Sequence, residues 1–325
     1  MPLPLTVDFH AHAQSPKAME LISAAASNPG GEVNPHNHEL ARTRYTPAFR
    51  DVNVRLHTMD RERIDMQAVS PAPNYAYWAD EALSDQIVTA SNEHVAELCA
   101  TNPDRFVGLC HVSLQFPELA AQQLGTAITR LGMRGVEIGS RVEDVDLDDP
   151  SLDPFWAAAQ ALRAPIFIHP SGTTLGKRVA KYYLGNVIGN PLDTTIALTN
   201  LIFGGVLERF PMLNVVAAHG GGYLPSYFAR SVHGHQVRPE MHTISRPPTE
   251  YLRRIWIDNL VFEPLFVAHL VTVMGASRIV LGTDYPFDMG QENPVDLVEA
   301  VPGLTAADRD KIKGGNAIEL LHLSE

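Results

Sequence analysis

Short β-rich runs alternate with helical patterns eight times along this chain of 325 residues, and this alternation limits the possible folds more than any other feature. The predicted strands are Leu5–His10, Met66–Ser70, Arg105–Val112, Gly135–Ser140, Pro165–His169, Asn214–His219, Arg254–Asn259 and Arg278–Asp284. They are nearly continuous apolar runs, as strands are when helices cover both faces of a sheet. The pattern predicts an α/β fold, a (β/α)₈ TIM barrel that forms a single domain over residues 1–325.

Helical periodicity fills the intervals between these strands. The predicted helices are Val54–Ile64, Ser84–Asn102, Pro117–Leu131, Ser151–Leu162, Thr194–Phe210, Pro264–Met274 and Thr305–Leu321. Thr305 is the expected N-cap of the last helix. The stretches Ala13–Asn53 and Ser171–Pro191 fit no periodicity and are predicted to be irregular. We expect residues 13–53 to be an insertion over the barrel mouth.

Composition excludes several classes of partner. The net charge is −12 and no basic stripe is present, so nucleic acid is not an expected partner. No run approaches the roughly 20 apolar residues of a membrane span, and the N-terminus does not resemble a signal peptide. The two cysteines, Cys99 and Cys110, lack metal-type spacing and indicate a reduced, cytoplasmic protein. An anionic substrate would need local arginines to bind against this negative background.

Histidines and an aspartate fall at the ends of predicted strands one, five and eight. Side chains at i and i+2 leave the same face of a strand, so His10 and His12 can point to one place. His169 and Asp284 end strands at the same rim of the barrel. Three imidazoles and one carboxylate suit Zn²⁺, Mn²⁺ or Fe²⁺. Each residue alone also fits a structural role, with Asp284 as a turn cap, but their shared position favours a metal site.

His219 ends the sixth strand and precedes three glycines. An imidazole that titrates near neutral pH suits a general acid or base beside the metal, although a structural histidine and a phosphate-binding loop are alternatives. Arg42, Arg44 and Arg50, in the predicted insertion, could bind a carboxylate through two parallel hydrogen bonds, and solvated loop arginines are the alternative. On the residues alone, Arg230 is interpreted as a surface arginine.

Four motifs in this order resemble the amidohydrolase superfamily, in the branch typified by aminocarboxymuconate semialdehyde decarboxylase. They are Asp8-Phe9-His10-Ala11-His12, Ile168-His169-Pro170, Ala218-His219-Gly220-Gly221-Gly222 and Gly282-Thr283-Asp284-Tyr285-Pro286-Phe287. Further similarity extends over nearly the whole chain, from Tyr77-Trp78-Ala79 to Gly315-Asn316-Ala317. The resemblance implies a metal-dependent, non-oxidative decarboxylase of a small unsaturated or aromatic carboxylic acid. The substrate would be similar to aminocarboxymuconate semialdehyde or to a hydroxybenzoate.

The resemblance also assigns roles to residues. It implies one divalent metal, zinc first and manganese second, held by the residues His10, His12, His169 and Asp284. It makes His219 the acid/base and gives Asp284 a second role, delivery of the proton that replaces CO₂. It implies a homodimer in which Arg230 reaches a substrate carboxylate in the neighbouring subunit's site. The further substrate contacts are Arg42, Arg44 and Tyr183.

Two positions depart from the family pattern. Ser171-Gly172 stands where the typical decarboxylase has a Trp-Asp pair, so the pocket wall and the substrate are expected to differ. The family's arginine in the first insertion aligns with Thr43, between Arg42 and Arg44. A hydrolase or hydratase of a lactone or related acid would use the same metal site and is the alternative function. A catalytically silent metal-binding protein is the third hypothesis.

Overall fold

A computed structural model describes residues 5–25 and 45–323 of the chain. Its main sheet has eight strands: β1 (Val7–Ala13), β2 (Met66–Pro71), β3 (Phe106–Cys110), β4 (Gly135–Ile138), β5 (Ile166–Ile168), β6 (Val215–Ala217), β7 (Trp256–Asp258) and β8 (Ile279–Val280). Each strand pairs in parallel with the next along the chain. The backbone N–H of Phe9 donates to the carbonyl of Leu281 at 2.8 Å and joins the first strand to the end of the last. The predicted TIM barrel is therefore confirmed.

Helices connect consecutive strands, as the alternating pattern predicted. The α-helices among the described residues are Pro16–Ala24, Thr46–Arg50, Val52–Glu62, Glu81–Thr101, Pro117–Arg130, Asp153–Ala161, Asn190–Phe203, Val206–Arg209, Leu224–Val237, Pro248–Leu252, Pro264–Met274, Pro294–Glu299, Ala306–Asp310 and Asn316–Leu320. A two-stranded hairpin pairs Arg141–Val142 with Val145–Asp146. Within these described ranges, no helix combines the length and the apolar character that a bilayer crossing demands.

Two predicted elements differ from the structure. The predicted helix Thr194–Phe210 is two helices, because Gly204 and Gly205 interrupt it and Gly205 takes a φ of +74°, which favours glycine. The closing helix contains a π-turn at Lys311–Gly315, but Thr305 caps its start as predicted. The Thr305 hydroxyl accepts from the Asp308 N–H at 3.1 Å, while the Asp308 carboxylate accepts from the Thr305 N–H at 3.2 Å.

The stretch predicted to be irregular is helical at both ends. Strand β1 continues to Ala13, and a helix begins at Pro16, where the Ser15 hydroxyl accepts from the Ala18 N–H at 3.3 Å. Proline favours the first helical position, because its missing N–H is not needed there. Residues 26–44, with Arg42 and Arg44, lie outside the described residues. The role of residues 13–53 as an insertion over the mouth stays a prediction.

The segment Ser171–Pro191 is also partly helical. It contains a short 3₁₀ turn at Gly176–Val179 and a π-turn at Gly185–Gly189, which leads into the helix that begins at Asn190. The prediction of an irregular stretch is therefore wrong over these turns.

A cluster of buried apolar side chains joins seven of the eight strands to the last helix. Its members are Val7, Phe9, Ala68, Val107, Leu109, Phe167, Val216, Ala218, Trp256, Val280, Ala317, Leu320 and Leu321. Phe167 packs edge-on against the imidazole of His10, with ring centroids 4.8 Å apart. The apolar cluster thus ends directly against the predicted metal ligands and shields them from water on that side.

Candidate metal centre

Five predicted site residues lie together at the carboxyl ends of the strands. His10 and His12 belong to β1, His169 follows β5, His219 lies two residues beyond β6, and Asp284 lies four residues beyond β8. The Nε2 atoms of His10, His12 and His169 lie 3.3, 3.2 and 3.9 Å from Asp284 Oδ1. His219 Nε2 lies 3.6 Å from Asp284 Oδ2. The carboxylate of Asp284 is therefore the centre on which four imidazoles converge.

The tightest cluster differs slightly from the predicted ligand set. One ligand atom from each of His10, His169, His219 and Asp284 lies within 4.8 Å of the other three, which makes these four a candidate site for a divalent metal. His12 falls outside that group although its Nε2 is close to Asp284. The sequence had assigned His219 to acid/base chemistry and His12 to the metal, and both assignments stay predictions.

Buried nitrogen atoms test whether these residues fit a cation. The Nε2 atoms of His10 and His169 are buried and make no hydrogen bond within residues 5–25 and 45–323. A buried polar atom without a partner is costly, and a cation at the centre of the cluster would satisfy both atoms. Imidazole nitrogens with one carboxylate suit Zn²⁺ and the other divalent transition metals. The residues present therefore fit a divalent metal ion.

Asp258, the last residue of β7, organises two of the imidazoles and was not predicted. Its Oδ2 accepts from His10 Nδ1 at 2.8 Å and from the His219 N–H at 3.0 Å. Its Oδ1 accepts from the N–H groups of Gly220 at 2.8 Å and Leu260 at 3.1 Å. Donation from Nδ1 leaves the lone pair of His10 on Nε2, where a metal would bind. A single acid in the apolar run Trp256-Ile257-Asp258 was the available sequence signal.

The turns that carry His219 and Asp284 have unusual backbone conformations. Both residues have positive φ angles, 55° for His219 and 59° for Asp284, in the left-handed region. Such a conformation costs about 1–3 kcal/mol for a residue other than glycine, although aspartate tolerates it better than most. The hydrogen bonds from His219 and Gly220 to Asp258 hold the first of these turns in place.

Opposite charges dominate the electrostatics of the cluster. Burial opposes the charged form of His10, but Asp284 and Asp258 outweigh it and raise the pKa of His10 to about 10. Burial likewise opposes ionisation of Asp284, yet His10 and the other imidazoles hold its pKa well below the usual range. Burial, and next the charge on His10, lower the pKa of His169. Without a cation, a protonated His10 therefore lies between two carboxylates, Asp284 and Asp258, whose pKa values it lowers in turn.

A second buried carboxylate, Glu137 of β4, lies behind His12. Burial opposes its ionisation, but His12 and His111 hold its pKa below the usual range. It accepts from the hydroxyls of Ser70 at 2.5 Å and Tyr75 at 2.7 Å. Glu137 is fully buried and lies directly behind the site, with Oε2 3.5 Å from His12 Nδ1.

The site opens onto a cavity of about 590 Å³, whose wall includes His169, His219 and Asp284. Ser171, Gly172 and Tyr183 also line it. Among the described residues, no lysine or arginine does so. Arg230 lies exposed on the helix Leu224–Val237, outside this wall. The structure thus brings the predicted contact Tyr183 to the cavity but leaves Arg230 of the same chain away from it.

A second cavity of about 550 Å³ adjoins the first and shares His219 and Asp284 with it. Its wall is mostly apolar and includes Tyr223, Phe262 and Phe266, which are exposed at the surface of the protein. The site is therefore open toward an apolar patch as well as toward the first cavity.

Comparison with known proteins gives consistent similarities. Residues 7–323 match the family model described as Amidohydrolase. The chain is 37% identical over 276 residues to 2-amino-3-carboxymuconate-6-semialdehyde decarboxylase of Dictyostelium discoideum, which covers 84% of this chain and 77% of that protein. The structure of this chain resembles that of 2,6-dihydroxybenzoate decarboxylase from Rhizobium, with a TM-score of 0.84 and 25% identity; the match covers 99% of this chain and 100% of that chain. The fold also resembles 5-carboxyvanillate decarboxylase of Sphingomonas paucimobilis, with a TM-score of 0.88, 23% identity and coverage of 98% and 99%.

Proposed function

The chain belongs to the amidohydrolase family, and we propose that within it this protein is a metal-dependent carboxy-lyase. It removes CO₂ without oxidation from a small unsaturated or aromatic carboxylic acid. The observation that carries the proposal is the convergence of four imidazole Nε2 atoms on Asp284 at the edge of a large cavity. The decarboxylase relatives at 37% and 25% identity support the choice of reaction.

The metal ligands we propose are His10, His12, His169 and Asp284, with zinc as the first candidate and manganese as the second. The ionised state of Asp284 and the Nδ1–H of His10, which Asp258 accepts, suit these roles. A divalent cation there would stabilise the negative charge that develops on a substrate oxygen next to the departing carboxylate.

His219 is the group best placed to move a proton. Its side chain is partly exposed at the cavity, and its Nε2 lies 3.6 Å from Asp284 Oδ2. Its Nδ1 makes no hydrogen bond to any described residue. We assign to His219 the exchange of protons with the substrate. Asp284 faces the same cavity and is the second candidate for delivery of the proton that replaces CO₂.

The substrate carboxylate needs a positive partner that the described wall of the cavity does not supply. We propose Arg42 and Arg44 of the same chain and Arg230 of a second copy in this role, with Tyr183 as a neutral contact. The exposed apolar wall of the second cavity, which contains Tyr223, supports a homodimer because large apolar patches beside a site mark protein interfaces. Tyr223 directly precedes the helix that carries Arg230. The cytoplasm is the proposed location, on the ground of cysteine usage.

The experiment measures CO₂ release and water addition separately on a panel of aromatic acids, unsaturated acids and lactones. We expect CO₂ from at least one acid, loss of activity after exhaustive chelation, and recovery with Zn²⁺ or Mn²⁺. The variant His219→Ala should lose at least about 100-fold in kcat, as expected for removal of a general acid or base. The control His235→Ala changes a histidine on the helix Leu224–Val237, away from the cluster.

Three results would count against the proposal. CO₂ release that survives complete metal removal would refute it, as would full activity of His219→Ala. Water addition to a lactone without any CO₂ release would favour the hydrolase or hydratase instead.

Mixing the inactive variants His219→Ala and Arg230→Ala tests the shared site, because a hybrid dimer should regain activity only if Arg230 acts across the interface.

A further inference from the structure

We propose that Ser70 and Glu137 form a hydrogen-bond relay that orients the His12 imidazole with its Nε2 lone pair toward the metal position. Both would be positioning residues that act through His12. The inference rests on the proposed function, because it takes His12 as a metal ligand. The side chains of His12, Ser70 and Glu137 are 0–1% exposed, so water does not compete for their hydrogen bonds.

Glu137 is the fixed acceptor of this relay. Its carboxylate accepts from Ser70 Oγ at 2.5 Å, from Tyr75 Oη at 2.7 Å and from His111 Nε2 at 3.2 Å. Three donors around one buried carboxylate stabilise its ionised form, which can accept hydrogen bonds but not donate them. Ser70 must therefore supply the hydrogen of the bond that it shares with Glu137.

The single hydroxyl hydrogen of Ser70 then decides which nitrogen of His12 carries a proton. His12 Nδ1 lies 3.0 Å from Ser70 Oγ. Because the hydroxyl hydrogen already points to Glu137, Nδ1 must be the donor in this second bond. The competing acceptor for the hydroxyl, the carbonyl of Ala11, is farther away at 3.3 Å. With Nδ1 donating to Ser70, Nε2 faces Asp284 Oδ1, 3.2 Å away, and its lone pair becomes available when a cation displaces the proton that Nε2 donates to this carboxylate.

The relay differs from the arrangement at His10, where the carboxylate of Asp258 accepts from Nδ1 directly. At His12 the serine hydroxyl lies between the imidazole and the carboxylate, whose nearest oxygen is 3.5 Å from Nδ1. The Tyr75 hydroxyl that donates to Glu137 also lies 3.3 Å from the carbonyl of His169. Glu137 thereby connects the surroundings of two predicted ligands from distant strands.

The test compares Ser70→Ala and Glu137→Gln with the wild type. The matched control is Ser84→Ala, which removes another serine hydroxyl of 1% exposure, one that donates to Ser113 and contacts no predicted ligand. Nitrogen NMR on protein with ¹⁵N-labelled histidine reports whether His12 Nδ1 carries a proton in the metal-free state. Competition with a chelating dye gives the Kd for Zn²⁺. The variant Ser70→Thr keeps the hydroxyl and should rescue both readouts.

We expect His12 to carry its proton on Nδ1 in the wild type and in Ser84→Ala. Ser70→Ala should lose this preference and weaken Zn²⁺ binding about 10–100-fold, the usual effect of removing a partner behind a ligand. Glu137→Gln should act in the same direction, because its amide group can donate to Ser70 and release the hydroxyl hydrogen toward Nδ1.

A Zn²⁺ affinity and a protonation of His12 Nδ1 that are unchanged in both variants would overturn the relay. If Ser70→Ala does not fold, Glu137→Gln and Ser70→Thr make the same comparison. If the proposed function is wrong, wild-type protein binds no Zn²⁺, and the protonation of Nδ1 in the metal-free protein still decides whether the relay exists.

Discussion

Replacement of Asp258 by asparagine should weaken both the fold and metal binding, since one carboxylate serves both. Each oxygen of Asp258 accepts two hydrogen bonds: Oδ2 from His10 and His219, and Oδ1 from Gly220 and Leu260. An asparagine has the same shape but must turn its NH₂ group toward one of these pairs. Facing Gly220 and Leu260, the amide leaves two backbone N–H donors without an acceptor; facing His10 and His219, it leaves at least the His219 N–H without one.

The size of the effect follows from that count. A buried donor left without an acceptor costs about 1–3 kcal/mol, so one or two of them should lower the free energy of unfolding by about 1–6 kcal/mol. Domains are typically stable by about 5–15 kcal/mol, so the variant should fold but denature at a lower urea concentration. If the amide faces His10, its Nδ1 becomes an acceptor, the proton moves to Nε2, and Zn²⁺ affinity falls by about 10–100-fold.

Urea denaturation of the metal-free protein and a Zn²⁺ competition titration measure these two quantities. The control is Asp193→Asn, which alters a buried carboxylate outside the cluster that accepts from the Ser140 hydroxyl at 3.1 Å. It should leave the Kd for Zn²⁺ unchanged. A loss of stability below about 1 kcal/mol in Asp258→Asn, together with wild-type metal affinity, would show that the carboxylate does not organise the site.

Three further predictions concern the pH dependence of stability, the pH dependence of Zn²⁺ affinity, and helix capping. His10 has a pKa of about 10 in the folded metal-free protein and about 6.5 in the unfolded chain, so the free energy of unfolding should fall as the pH rises between these values. Urea denaturation at a series of pH values measures this, and midpoints that rise over this range would contradict the prediction. Over the same pH range the affinity for Zn²⁺ should increase by up to about tenfold per pH unit, because His10 must lose its proton to bind the metal. A Kd for Zn²⁺ that does not change with pH would argue against His10 as a ligand. Thr305→Ala removes one half of the capping box and should cost about 1 kcal/mol in thermal or urea unfolding, and an unchanged midpoint would show that the cap is dispensable.

The barrel was predictable because its strands are short apolar runs at regular intervals, but their ends were not. β8 has only two residues, Ile279 and Val280, whereas the sequence indicated a strand that continues to Asp284. Beyond Val280 the pairing with β1 is interrupted at Thr283, whose N–H donates to the buried carboxylate of Asp8 at 3.0 Å, and it resumes at Asp284, whose N–H donates to the His10 carbonyl at 2.8 Å. The acceptor is a side chain far away in sequence, and the spacing of apolar residues along the chain cannot predict such a contact.

The convergence of His10, His12, His169 and Asp284 followed from topology, since the carboxyl ends of parallel barrel strands share one rim. The residues behind them, Asp258 and Ser70, were missed because their importance depends on which atoms they face. The helix that begins at Pro16 was missed for another reason. The prolines and glycines of that region were interpreted as loop residues, although a serine before a proline is also a signal for a helix start.

Pairing of the first strand with the end of the last has a consequence for how the molecule is made. His12 Nε2 and Asp284 Oδ1 are neighbours in space but 272 residues apart in sequence. A nascent chain still lacking its eighth strand has the two imidazoles at its beginning but not Asp284. Under the ligand set that we propose, we expect ion loading to follow synthesis, and by mass action an ion that binds only the complete site stabilises only finished molecules.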